Sequence, residues 1–178
     1  MQFIVVEYPD DASPMPDFTR AYPGSTIDII AEPATPLPDG DLMHPCIAQV
    51  RGAPWPATLQ LVATLQQAYE SVNVLLSDPR SNQWIGRMRI RETTFRHTAT
   101  FKVMQYQRRF GGPWVHLEDG VIHLRARVPD LAEGEALAKA MREGLAAVGV
   151  PAQVELRELG AKDYGVWQDL IQRSLGMA

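Results

Sequence analysis

The stretch Trp114-Val115-His116-Leu117-Glu118-Asp119-Gly120-Val121-Ile122-His123-Leu124-Arg125-Ala126-Arg127-Val128 decides the fold. Apolar and polar residues alternate after Asp119-Gly120, with Ile122, Leu124, Ala126 and Val128 on one side and His123, Arg125 and Arg127 on the other. Strand side chains point alternately to opposite faces, so this pattern predicts a strand with one buried face. Asp-Gly at such a junction predicts a type I′ hairpin, because both central residues must take positive φ. A two-residue loop sets the register, pairing Glu118 with Val121, His116 with His123, and Trp114 with Arg125. The chain is therefore expected to be an α+β fold built on antiparallel sheet.

Working outward, Pro129-Asp130 opens a helix. Asp130 is placed to cap it and Glu133 stands at capping-box spacing. Leu137, Met141, Leu145 and Val148 form the buried stripe, Gly149 ends the helix and Pro151 forbids its continuation. Gln153–Leu159 reads as a strand, and Asp163–Leu175 as a short terminal helix with Val166, Leu170 and Ile171 inward. Upstream, Trp84, Met88 and Ile90 share one face of a strand and Arg87, Arg89 and Arg91 the other. Residues 97–108 also alternate, with Ala99, Phe101 and Val103 inward and Thr98, Thr100 and Lys102 outward, which predicts a further strand of the same meander.

Residues 2–8, 25–32, 47–51 and 72–76 read as strands, and 57–71 as a helix whose Leu61, Val62, Leu65, Ala68 and Tyr69 fall on one face. Ten of the 14 prolines lie in the first 56 residues. Proline removes a donor and fixes φ, so long irregular loops are expected at 8–24 and 33–45. Such loops either edge the fold or wall a pocket. The order strand, proline turn, helix, strand over Ile47–Leu76 recurs over Ile122–Leu159. This suggests one domain over 1–178, made of two ferredoxin-like (ββαβ-type) halves at 22–91 and 97–160 with a C-terminal helix at 161–178.

Composition narrows the function. The 178 residues hold a single cysteine, Cys46, so an intrachain disulfide and a CxxC zinc scaffold are excluded. No apolar run approaches a membrane span, and the N-terminus lacks the basic region of a signal peptide, so a cytoplasmic location with no membrane partner is expected. The net charge of −4 conceals an asymmetry, since residues 80–127 sum to +7 and the remainder to −11. The outward face of the meander is thus the most distinctive surface. Arg87, Arg89, Arg125 and Arg127, with Trp114 stacking on Arg125, are candidates for holding an anionic small molecule. Solvated arginines explain the same pattern. So does a nucleic-acid surface, although the acidic remainder opposes a long polyanion. His116 and His123, with Glu118 or His97, form a lesser metal-binding candidate. Trp55 and Trp84 adjoin loops and are candidates for lining a small-molecule pocket.

No nucleophile elbow, metalloprotease helix, phosphate-binding loop or dinucleotide fingerprint is present. No cofactor is implied, and no residue is assigned a catalytic role outright. If the chain is an enzyme, its pocket would lie under the N-terminal proline-rich loops and use His44, His116 or His123 as acid–base groups. A deep cavity holding a histidine beside a carboxylate would favour that alternative. Cys46 reads as a small buried apolar group and Gly111-Gly112-Pro113 as a bend, while Asp10-Asp11 and Asp39/Asp41 are carboxylate pairs in loops that solvated turn residues explain at least as well as metal or acid–base work.

The stretch from Pro23-Gly24-Ser25-Thr26-Ile27-Asp28-Ile29-Ile30 through His44-Pro45-Cys46-Ile47-Ala48-Gln49-Val50-Arg51-Gly52 resembles the opening of the sensor-type region in bacterio-opsin-activator-like regulators, including its V-R-G turn before a helix. Val121–Asp130, Gly149-Val150 and Val154-Glu155-Leu156-Arg157 are similar to that family's "W-x-L-x-L-R-F-P-D … G-I-x-V-x-V" segment, and the likeness spans about 22–160. Val121-Ile122 replaces the family's Trp and Val128 its Phe. Tyr164-Gly165-Val166-Trp167-Gln168 echoes the entry to its helix-turn-helix, without the Thr and with a shifted Gln. The resemblance implies a non-catalytic regulatory or sensor-type module, transcription-related, that binds a small ligand or a protein partner. A homodimer through sheet or helix packing is compatible with it. The recognition helix has no counterpart in these residues, so nucleic-acid binding in the family's manner is not expected.

Overall fold

The computed structural model describes residues 2–10, 13–107, 114–158, 160 and 165. Its elements run β1 (Gln2–Pro9), α1 (Pro14–Ala21), β2 (Thr26–Ala31), β3 (Thr35–Pro36), β4 (Leu42–Arg51), α2 (Trp55–Ala68), β5 (Ser71–Asp78), β6 (Gln83–Arg91), α3 (Glu92–Phe95), α4 (Ala99–Gln107), β7 (Trp114–Glu118), β8 (Val121–Arg127), α5 (Leu131–Ala147) and β9 (Gln153–Glu158). The class is α+β. Among the described residues one sheet of nine strands runs β5-β6-β4-β2-β7-β8-β1-β9, with β3 on β4, and every pairing is antiparallel. No helix among the described residues is long and apolar enough to cross a membrane.

The Asp119-Gly120 hairpin forms in the expected register, with Glu118 on Val121, His116 on His123 and Trp114 on Arg125. Its turn takes φ of +50° at Asp119 and +79° at Gly120, as a type I′ turn requires.

The strand order shows how the repeated element order is used. β4 and β5 are joined through α2 and lie either side of β6, while β8 and β9 are joined through α5 and lie either side of β1. Since neighbours are antiparallel, each helix links two parallel strands around an intervening one. Outward from the central β2–β7 pair, the two sides read β2-β4-β6-β5 and β7-β8-β1-β9. The second side takes its intervening strand from the N-terminus, outside residues 97–160.

The helices pack on one face of this sheet. Met15 and Phe18 of α1, Leu61, Val62 and Leu65 of α2, Val103 of α4, and Ala138, Met141 and Leu145 of α5 join the inward residues Ile4, Val6, Ile27, Trp84, Met88, Leu117 and Leu124 in one core. Asp130 caps α5 as expected, its carboxylate accepting from the Glu133 N–H at 2.8 Å. Val148, expected in the buried stripe, is instead 52% exposed. The helix closes in a Schellman motif, with Gly149 N–H on the Ala146 carbonyl and Val150 N–H on that of Leu145. That closure turns Val148 outward and buries Val150 in its place.

Two expectations are corrected. Residues 99–107 form α4, not a strand. Their alternation also fits a helical stripe, because Ala99, Val103 and Tyr106 recur at i, i+4 and i+7. Capping decides between the two periods. The Thr98 hydroxyl accepts from Phe101 N–H at 3.1 Å, and the distant Asp10 carboxylate accepts from Thr100 N–H at 3.2 Å. Lys102 therefore leaves the sheet face altogether. Within the expected loop at 8–24, residues 14–21 form α1, because Ser13 caps it and Pro14 and Pro16 lie in the first turn, where a missing N–H costs nothing. The second expected loop is shortened as well, since β4 begins at Leu42. The bend at Gly111-Gly112-Pro113 and the terminal helix at 163–175 lie outside the described residues.

Candidate functional site

Where the two sides of the sheet meet, the helical layer leaves a cavity of about 300 Å³. Its floor is the inward face of the central strands, with Ile29 and Ala31 of β2, Cys46 of β4, Ile90 of β6, Val115 and Leu117 of β7, and Ile122 of β8. Its roof comes from Pro14 and Met15 of α1, Tyr69 just after α2, Phe95 of α3 and Met104 of α4. The N-terminal proline-rich segment does wall a pocket, and it does so through a helix. A cavity of ~150 Å³ accepts benzene, so this one has room for a bicyclic aromatic.

The lining is mostly apolar, with two polar groupings. His44 of β4 faces Glu92 at the start of α3, with Nε2 and Oε2 3.0 Å apart. Glu92 is buried, and Arg96 one turn later approaches its other oxygen at 3.4 Å. The Phe95 ring meets the His44 imidazole edge-on at 5.1 Å. The α3 turn is also tied to the start of β4, because Asp41 accepts from the Thr93 hydroxyl at 2.7 Å and pairs with Arg96 at 3.5 Å. In the second grouping the Asp10 carboxylate accepts from the Thr100 hydroxyl at 2.9 Å, and that hydroxyl accepts from the Tyr8 phenol at 3.1 Å. Burial pushes the Tyr69 phenol up to about 12, an effect that the Ser13 hydrogen bond opposes. Burial likewise pushes the Cys46 thiol up to about 12, with the Glu32 charge adding to it. Cys46 therefore contributes an unreactive thiol to the floor.

The opposite face of the sheet carries the residues that the charge pattern singled out, and it does not gather them. Arg87 and Arg89 lie on β6, Arg125 and Arg127 on β8, with β4, β2 and β7 between them. Four inter-strand spacings put the two pairs roughly 19 Å apart, too far for one small anion. Arg87 pairs with Glu32 at 3.4 Å, and the neighbouring Arg91 with Asp39 at 2.6 Å. Trp114 stacks under Arg125 as expected, 4.4 Å from ring centroid to guanidinium carbon. Its indole N–H donates to Asp28, so it serves the sheet and not a pocket. Trp84 is buried in the core against Gly86, and Trp55 begins α2 and packs on the core edge. Neither Trp55 nor Trp84 lines the cavity.

His116 and His123 lie side by side, with ring centroids 5.9 Å apart. Each is spent on carboxylates. His116 Nδ1 is 2.8 Å from Asp28 and Nε2 3.6 Å from Glu118, and His123 Nδ1 is 3.3 Å from Glu7. Burial lowers the His123 pKa against the opposing pull of Glu7. Among the described residues no group of three or more His, Cys, Asp or Glu side chains could hold a metal ion. Of the three histidines weighed as acid–base groups, only His44 lines the cavity.

Sequence reasoning missed Glu92, Asp10, Thr100 and Phe95. Asp10 and Thr100 are 90 residues apart, and His44 and Glu92 are 48 apart. No local pattern joins either pair. Comparison of the chain with protein-family models, curated proteins and solved structures finds no match.

Proposed function

We propose that the chain is a small-molecule-binding domain with a regulatory role, holding its ligand in the cavity between the central strands and α1, α3 and α4. The observation that carries this reading is the cavity itself. It is mostly apolar, has room for a bicyclic ring, and holds a few converging polar groups, the usual anatomy of a ligand site. The regulatory role rests on the resemblance to bacterio-opsin-activator-like sensor regions. Calorimetric titration with 2-naphthol tests the site. Saturable binding that disappears in Ala31→Phe, where the new ring fills the floor, supports it. Binding that survives in that variant places the ligand elsewhere.

A second reading is favoured by one contact. The buried Glu92 beside His44 is the geometry that orients a general base toward a bound hydroxyl or water. A hydrolase of this kind would cleave 2-naphthyl acetate faster than buffer alone, and His44→Gln would remove the excess while the ester still bound. Equal rates with and without protein would eliminate it.

A further inference from the structure

Residues 52–77, which run through α2 and most of β5, hold one charged side chain, Glu70, in a chain that is 21% charged. Charge is common on solvated surfaces and depleted at the centres of protein interfaces. The stretch is not simply core, since Gln60, Ala63 and Gln67 of α2 and Asn73 and Ser77 of β5 are exposed. Two large apolar side chains stand out from it, Leu59 at 47% exposed and Val74 at 51%. Geometry sets them on one margin. Ala68 lines the cavity over the central strands, so that flank of α2 faces the middle of the sheet. Leu59 lies nine residues earlier, which at about 100° per residue is the opposite flank, toward β5. Val74 pairs with Gly86 and points with it to the helical side of the sheet. Because β4 and β5 are parallel, α2 runs antiparallel to β5. Leu59 is then ~13 Å and Val74 ~10 Å from the turn that joins the two elements, a similar height.

Among the described residues β5 pairs with β6 alone at one end of the sheet, and β9 with β1 alone at the other. β9 carries Glu155, Arg157 and Glu158, the kind of charge that keeps a sheet edge from docking, whereas β5 carries none before Asp78. A second copy of the chain is the occupant that fits this margin. A patch without charge selects no partner by sign, and two copies with a net charge of −4 each meet there without like-charge contact. The charges that flank the patch differ in sign, with Glu70 before β5 and Arg80 beyond its end, both exposed. A two-fold axis sets the two β5 strands antiparallel and brings Glu70 of each copy toward Arg80 of the other. From this we infer that the α2–β5 margin is a self-association surface, where two copies meet about a two-fold axis with Leu59 and Val74 at its centre and Glu70 facing Arg80 at its ends. The bulge between Val74 and Leu76 interrupts the regular spacing of the strand, so side chains and not a continued ladder carry the contact.

Sedimentation equilibrium of the whole chain, from about 5 to about 500 μM, should show the mass rising from one chain to two. Leu59→Lys and Val74→Lys should each weaken the dimer about tenfold or more, with circular dichroism confirming that each variant folds. Glu70→Arg should weaken it as well, and adding Arg80→Glu should restore it. Loss of the Glu70–Arg91 contact within one chain cannot produce that recovery. A single-chain mass throughout overturns the inference and leaves the margin to a different partner. A mass that grows past two chains replaces the two-fold contact with an open, head-to-tail one and overturns it too. So does a dimer that survives both lysine variants, because its interface then lies elsewhere. Weakening by Glu70→Arg without recovery in the double variant overturns the two-fold arrangement.

Discussion

Asp28 is the residue on which the outer face of the sheet turns. It is wholly buried in the middle of β2 and accepts from Arg51 at 2.8 Å, from the Trp114 indole at 3.3 Å and from His116 at 2.8 Å. Burial by itself would raise its pKa. The hydrogen bond and charge of His116, with those of Arg51, outweigh burial and hold the carboxyl below its ordinary range. Its ionised form is thus favoured by folding, so its contribution is full above the unfolded value of about 4 and is lost as pH falls through the lower folded value. Urea unfolding from neutral pH to pH ~2 should show a loss of stability concentrated below about pH 4 that is blunted in Asp28→Asn. At neutral pH that variant should be about 2 kcal/mol less stable, because an amide N–H₂ would then face donors. Unchanged midpoints would mean that the outer-face network is incidental. The sequence showed Asp28 as one acid in an alternating strand, and its three partners come from β4 and β7.

At the scale of elements, two glycines make contacts that larger residues forbid. The Trp84 ring lies over Gly86 on the inward face of β6, so a Cβ there would overlap the indole. Gly86→Ala should cost about 1–3 kcal/mol in thermal or urea unfolding, as overpacking does. Gly144 of α5 receives the Tyr106 hydroxyl of α4 in the same way. Alanine in a helix interior ordinarily gains about 1 kcal/mol over glycine. Here the overlap should reverse the sign, and Tyr106→Phe should recover part of the loss in a double-mutant cycle. A stabilised Gly144→Ala would show that α4 and α5 do not meet there. The Gly144 contact could not be seen in the sequence, because it depends on α4 meeting α5; Trp84 and Gly86 are two residues apart on one face of β6, so the sequence placed them side by side but not the ring over the glycine. α5 itself was legible, since its cap and terminating glycine are local, although its buried stripe runs through Ala138, Met141 and Leu145 and leaves Val148 outside. α4 was misread because a nine-residue segment satisfied both periods, and a cap supplied from Asp10 settled the matter.

At the scale of the whole molecule, the topology separates what the composition had joined. The +7 segment is real as a count, but its described bases are spread over β6, α4, β8 and the turns at Arg80 and Arg96, and are partly neutralised by Glu32, Asp39 and Glu70. Inorganic phosphate is therefore expected to give no saturable heat and no shift in melting temperature beyond that of matched ionic strength. A saturable signal lost in Arg125→Ala would restore the anion reading. Arg125→Ala alone should cost about 1–2 kcal/mol, the scale of a half-buried cation–π contact, and should leave 2-naphthol binding intact because it lies on the far face from the cavity.

The sequence by itself determined the α+β class, the Asp119-Gly120 hairpin and its register, the alternating faces of β6 and β8, and the α5 helix with its caps. Each of these rests on interactions within a few residues along the chain, where periodicity and turn chemistry act. Only the tertiary structure decided that β1 completes the second side of the sheet, that a proline-rich segment forms a helix over a cavity, and that His44 meets Glu92 while Asp10 meets Thr100. Those juxtapositions follow from strand order and helix packing, which bring together residues that share no local signal.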